Sequence, residues 1–242
     1  MRIFAVLPAA EGVYPAEAQQ RRIDRLMSYS RPGVEITVGY PAERSGFNPY
    51  GGGGGALQRA QNNILMAERM IEAEKEGFDA AFPFGMIDFG AELARAHCTI
   101  PIVGQTQATY CIAAMMASRV GVISYQSNGH NWFWRQAREY GFAHLIAGMG
   151  AAEMPNSEMP SRRNELFERF VSEAKRLVKD EGADLIVCHG MSMCPIEFSA
   201  AEYAEGIGVP VLEGIGCAVA MCEAWVNMGT PYSRIRYPRA AG

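Results

Sequence analysis

The chain carries one pattern twice. Glu76-Gly-Phe-Asp-Ala-Ala-Phe-Pro-Phe-Gly85 and Glu181-Gly-Ala-Asp-Leu-Ile-Val-Cys-His-Gly190 both read E-G-x-D, then an apolar run, then a glycine. Each is followed by a helical stretch and a second apolar run, Ile100–Gly104 after the first and Val209–Gly214 after the second. Short apolar runs between turn residues suit strands covered on both faces. Further runs of this kind are Ile3–Leu7, Val34–Tyr40, Val120–Ser124 and His144–Ala147. Helical stretches lie between them, and Asn164–Lys179 places Leu166, Phe167, Phe170, Val171, Ala174 and Leu177 on one stripe. Strand alternating with helix requires a parallel α/β sheet with right-handed crossovers. The repeat predicts two similar α/β lobes facing each other. Such sheets bind ligands at the carboxyl ends of their strands, where Gly85 and Gly190 fall.

The balance of 22 basic and 26 acidic residues gives a net charge of −4, which leaves no basic surplus for nucleic acid or an acidic membrane. No apolar run approaches a membrane span. The N-terminal MRIFAVLPAAEGVYPAE reads as a first strand and not as a signal peptide. Six cysteines sit in apolar segments without a CxxC pair, so free thiols in a reducing, cytoplasmic compartment are expected. Four scattered histidines form no HExxH, and no zinc site is expected. No nucleotide, flavin or pyridoxal motif appears, so no cofactor is expected. Gly51–Gly55 reads either as a mobile flap contacting a ligand through Phe47 and Tyr50 or as a plain loop.

Taken in order, Gly77-Phe-Asp-Ala, Asp88-Phe-Gly90, Arg95 and Ile100-Pro-Ile-Val-Gly104 resemble the first half-site of the aspartate/glutamate/hydantoin racemase superfamily. Val120-Gly-Val-Ile-Ser124, Gly182-Ala-Asp-Leu-Ile-Val, Met193, Val209-Pro-Val-Leu-Glu-Gly214 and the alanine-rich stretch to Glu223 resemble its later elements. The resemblance implies two similar Rossmann-like lobes with parallel sheets and a pseudo-two-fold cleft between them. It assigns 1–104 plus 213–242 to the first lobe and 105–212 to the second. It also implies catalysis without a cofactor or metal. The implied partner is a small carboxylate or hydantoin-like substrate, and self-association into a homo-oligomer is compatible with it.

The chain departs from the family at its chemistry. Two cysteines carry racemisation there, one on each face of the substrate carbon. They correspond to Gly85 and Gly190, which have no side chain to move a proton. The related arylmalonate decarboxylases lack the first cysteine and keep the second. Loss of both enlarges the expected cleft and points away from two-thiol racemisation.

Candidate replacements are His189, Cys188, Tyr125, Asp88 and Glu213. Cys188 shares the strand parity of Gly190 and His189 has the opposite one. His189 at a strand end is the stronger candidate for proton transfer, and a buried structural role is open to both. Asp88 also reads as a helix cap. Candidate binding positions are Gly85, Met86, Gly190, Met191, Ser192, Ser124, Gln105, Pro8 and Tyr14. The 190–194 loop is expected to offer amides to a carboxylate. The segment His130-Asn-Trp132-Phe-Trp134 reads as core packing or pocket lining. The expected function is a lyase, decarboxylase or isomerase acting next to a carboxylate or imide carbonyl. A hydrolase using water activated by His189, Glu213 or Asp88, and a non-catalytic binding protein, stand as alternatives.

Overall fold

The computed structural model describes residues 1–50 and 54–239. The first three glycines of the Gly51–Gly55 run lie outside the described residues. The chain folds as two compact units, Met1–Gln105 with Ile215–Gly242, and Thr106–Gly214.

The first unit holds β1 (Arg2–Val6), α1 (Ala16–Met27), β2 (Glu35–Gly39), α2 (Ala56–Lys75), β3 (Ala80–Pro83) and α3 (Ala91–His97). Its sheet is parallel, in the order β2-β1-β3, and a parallel bridge from Ala81 to Ile102 extends it. The second unit holds α4 (Gln105–Met116) from its second residue on, β4 (Val120–Ser124), α5 (His130–Glu139), β5 (Ile146–Ala151), α6 (Arg163–Glu181), β6 (Leu185–Cys188), α7 (Ala200–Ile207) and β7 (Val211–Leu212). Its sheet is also parallel, in the order β5-β4-β6-β7. The two orders are the same when the Ile102 bridge is set against β7. Helix α8 (Gly214–Met228) follows β7. Each unit therefore has the α/β topology that the repeat predicts.

The repeated E-G-x-D has a structural meaning. Gly77 and Gly182 take left-handed φ values of 80° and 69° just past α2 and α6, where a side chain would be strained. The aspartate two residues on clips the start of the neighbouring central strand, β1 or β4. Asp79 accepts the Arg2 amide at 2.7 Å, and its own amide returns to the Arg2 carbonyl at 2.8 Å. Asp184 accepts the Ser118 and Arg119 amides at 3.0 and 2.9 Å, and its amide returns to the Arg119 carbonyl at 2.9 Å. The guanidinium of Arg2 reaches the carbonyls of Glu76 and Gly77, and that of Arg119 reaches the carbonyl of Glu181. These cations satisfy helix-end carbonyls and oppose the negative end of the helix dipole.

Each sheet packs against its helices through an apolar core. Phe4, Met66, Met70, Phe78 and Ile102 fill the first. Leu166, Phe170, Leu177, Ile186 and Tyr203 fill the second, with the Phe170 and Tyr203 rings stacked at 3.9 Å. The stripe expected on Asn164–Lys179 is thus the buried face of α6. The expected strand at His144–Ala147 lies later, at Ile146–Ala151, because a short 3-10 turn takes residues 143–145.

Hydrogen bonds from two backbone amides hold the Asp184 carboxyl below the usual aspartate range. A depressed carboxyl stabilises the fold above its unfolded pKa of about 3.9, and that contribution is lost as pH falls through the folded value. Because Asp184 is exposed, the expected loss in Asp184→Ala is modest, about 0.5–1 kcal/mol at pH 7 by urea unfolding. The difference from wild type should shrink toward zero below about pH 4.

Candidate functional site

In the first unit, β1 runs into Leu7-Pro8 and β3 into Phe84-Gly85. Asn62 ties this end together, donating to the Pro8 carbonyl at 3.0 Å and accepting from the Ser45 hydroxyl at 2.9 Å. Gly85 has φ 120° and open space where a side chain would begin, and its amide donates to Gln105 Oε1. An L side chain rarely adopts that backbone, so glycine is the residue this turn favours. Met86 and Tyr14 are buried, and the Arg22 guanidinium lies 4.5 Å from the Tyr14 ring centroid.

Asp88 is buried at a φ of 57°, with its carboxylate against Gly104. A Cβ at Gly104 would lie 2.5 Å from Asp88 Oδ2, so the glycine makes room for the carboxylate. The buried Arg95, whose guanidinium donates to the Ile102 carbonyl at 2.9 Å, feels the Asp88 charge. Asp88 does not occupy the N-cap position of α3. The cap of α3 is Gly90, whose amide donates to Asn63 Oδ1 at 2.7 Å. Gly90 presses so closely on Ala67 of α2 that no side chain fits there.

In the second unit, β4 and β6 are neighbours in register, Ile123 opposite Cys188. Next come Ser124, the last residue of β4 and paired with Ala151 of β5, and His189, just past β6, whose amide still bonds the Ile123 carbonyl at 2.7 Å. The Cys188 thiol faces the apolar core and contacts the Gly190 carbonyl at 3.4 Å. Gly190 abuts Tyr125: a Cβ there would lie 2.5 and 2.7 Å from two atoms of its ring. The room expected from the missing thiol is therefore filled at this position, whereas at Gly85 it is open.

The Tyr125 hydroxyl accepts the Ser192 amide at 2.9 Å. The amides of Met193 and Cys194 both turn back to the Gly190 carbonyl, at 3.0 and 3.2 Å. Amides 192–194, expected to face a carboxylate, are thus used inside the protein. Met191 and Ser192 are buried at the start of this loop. Glu213 is buried immediately after β7.

His189 is 3% exposed, and its ring lies 4.0 Å from that of Phe133 on α5. Its Nε2 has no hydrogen-bond partner among the described residues. Burial pushes its pKa down to about 3, and the nearby His130 adds a smaller push in the same direction. The imidazole is accordingly neutral at physiological pH.

His130 stands apart from the other candidates, and sequence reasoning passed over it as part of an aromatic segment. It opens α5, six residues past Ser124, and folds back over the end of β4. Its Nε2 lies 3.1 Å from the Ser124 hydroxyl and 3.2 Å from the Gly150 carbonyl of β5. The available signal was its place in the first turn of the helix that follows a predicted site strand. Among the described residues, no three of His, Cys, Asp and Glu group so as to hold a metal ion, and no helix is long and apolar enough to cross a membrane.

Two parallel sheets of one strand order, each carrying its candidate residues just past the strand ends, define an α/β protein of the racemase type. The Asp/Glu/Hydantoin racemase family model matches residues 55–222, and the chain belongs to that family. Hydantoin racemase from Rhizobium meliloti is 28% identical over 195 residues, covering 77% of each chain. Hydantoin racemase from Pseudomonas sp. (strain NS671) is 26% identical over 171 residues, or 70% of this chain and 67% of that one. Among solved structures, allantoin racemase from Pseudomonas fluorescens aligns with a TM-score of 0.84 at 21% identity, covering 100% of this chain and 98% of its own. Unliganded arylmalonate decarboxylase aligns at 0.60 with 14% identity, covering 93% and 92%.

Two outcomes follow from this geometry. A histidine whose folded pKa is depressed makes the unfolded state the better proton acceptor, so stability rises with pH through the interval between the two values. His189 should impose a loss of about 1.4 kcal/mol per pH unit as pH falls from ~6 toward 3, and His189→Gln should remove that slope in urea titrations at stepped pH. Gly190→Cys forces a side chain against the Tyr125 ring and should cost about 1–3 kcal/mol. Adding Tyr125→Ala should recover part of it, giving a coupling energy in a double-mutant cycle where independent sites would give none.

Proposed function

We propose that the protein is a cofactor-independent enzyme acting on the carbon next to a carboxylate or imide carbonyl, as a lyase, decarboxylase or isomerase and without exchange between two thiols. The observation that carries this reading is glycine at both thiol positions, with the side-chain space at Gly190 already taken by Tyr125. A cysteine restored there meets a ring, and one restored at Gly85 meets an unfavourable backbone.

The substrate class comes from the relatives. Hydantoin and allantoin racemases act on rings with an acidic C–H beside a carbonyl, and an arylmalonate decarboxylase generates a carbanion at the same kind of carbon. The shared requirement is to hold an enolate-like charge while a proton or CO2 comes or goes. That requirement survives the loss of the thiols, because it rests on hydrogen-bond donors and on one group able to carry a proton.

The test incubates single enantiomers of a 5-substituted hydantoin, allantoin, aspartate and glutamate, and separately phenylmalonate, with the enzyme in heavy water. The expected outcome is α-deuterium uptake or CO2 release without decay of optical rotation beyond the uncatalysed rate. Rapid loss of rotation together with deuterium uptake would mean two-base racemisation and would overturn the proposal.

A further inference from the structure

We infer that His130 is the proton-transfer residue of the second unit's site, acting through Nδ1. The inference rests on the reading just proposed and names the group that replaces the thiols.

The tautomer follows from the partners. A backbone carbonyl only accepts, so the 3.2 Å contact with Gly150 requires that His130 Nε2 carry a hydrogen. The Ser124 hydroxyl, 3.1 Å away, can point its own hydrogen at the Gln126 carbonyl, also at 3.1 Å, and accept from the same Nε2. The Gly150 carbonyl therefore places the proton on Nε2 and the lone pair on Nδ1, and the Ser124 hydroxyl accommodates that tautomer. Nδ1 has no hydrogen-bond partner among the described residues, and the ring is half-buried. One nitrogen pinned by a backbone acceptor and the other left basic is how a histidine is oriented for general base work.

Its rivals are otherwise engaged. His189 is sealed under Phe133 and holds its neutral form. The Cys188 thiol is in the core. The Tyr125 oxygen is on the Ser192 amide. The carboxylate of Glu153, beyond β5, accepts the Ser127 amide at 3.1 Å.

The step is a reversible proton transfer. The Nδ1 lone pair takes the hydrogen from the carbon beside the carbonyl. The C–H pair becomes a C–C double bond, and the carbonyl π pair moves onto oxygen as an enolate. The new N–H exchanges with solvent, and the hydrogen returns to the same face. One base on one face gives solvent exchange with retention.

The experiment follows loss of the C5–H signal of L-5-methylhydantoin in heavy water by proton NMR, with optical rotation in parallel, using the full chain. Wild type should exchange with retention. His130→Ala should lower exchange at least ~100-fold. Added free imidazole should restore part of the lost rate, which a purely structural role would not allow. His189→Gln should stay within severalfold of wild type. As a readout independent of any variant's folding, nitrogen-15 histidine spectra of wild type should show His130 as the Nε2–H tautomer, with Nδ1 shifting when the hydantoin is added. Exchange undiminished in His130→Ala, loss confined to His189→Gln, an Nδ1–H tautomer, or lack of imidazole rescue would each overturn the assignment while leaving the proposed function standing. If wild type exchanges nothing but releases CO2 from phenylmalonate, this inference falls and the broader function survives. If it does neither, both fall.

Discussion

The amino end of each central strand is locked by one reciprocal arrangement: an arginine on helix-end carbonyls, and an aspartate trading hydrogen bonds with that arginine's backbone. This lock sets where β1 and β4 begin relative to β3 and β6. In a parallel sheet the register at one end dictates the register at the other. Pro8 and Gly85 therefore leave the first sheet in step, and Ser124 at the end of β4 stands level with His189 just past β6. Side chains that carry chemistry can then be mounted on short loops above a rigid base. Charged groups at one end of the strands thus make the opposite end usable.

At the carboxyl ends the second unit resolves a conflict between filling space and keeping polar groups satisfied. A glycine at position 190 leaves space beside a buried loop, and voids cost packing energy. Tyr125 fills it and uses its hydroxyl to satisfy the Ser192 amide. The consequence is a loop closed on itself, with three amides spent internally. His189, one residue before, is driven into apolar surroundings where a charged imidazole is costly, while His130 at the start of α5 is only half-buried. The two histidines thus sit in different surroundings on neighbouring elements, one buried against Phe133 and one hydrogen-bonded to Ser124 and Gly150.

Much of this was legible in the residues. The E-G-x-D repeat marks two helix ends and two strand starts, and alternation of apolar runs marks the parallel sheets, because backbone geometry and local turn chemistry depend on near neighbours in the chain. Glycine at 85 and 190 is equally plain in the sequence, since the lack of a side chain is a fact of composition. The sequence does not show that Gly90 takes the N-cap of α3, because its contact with Ala67 joins elements more than twenty residues apart. The strand at 144–147 moves because a 3-10 turn competes for the same residues.

The sequence by itself determined the class of fold, the repeat that builds each sheet and the glycines at 85 and 190, all of which rest on residue type and on spacing within a few turns. Only the tertiary structure decided which polar groups are available. The burial of His189, the Tyr125 ring over Gly190 and the contact of His130 with Gly150 each bring together residues from different elements. Desolvation and tautomer choice depend on those neighbours, and on distances that the linear order of residues does not contain.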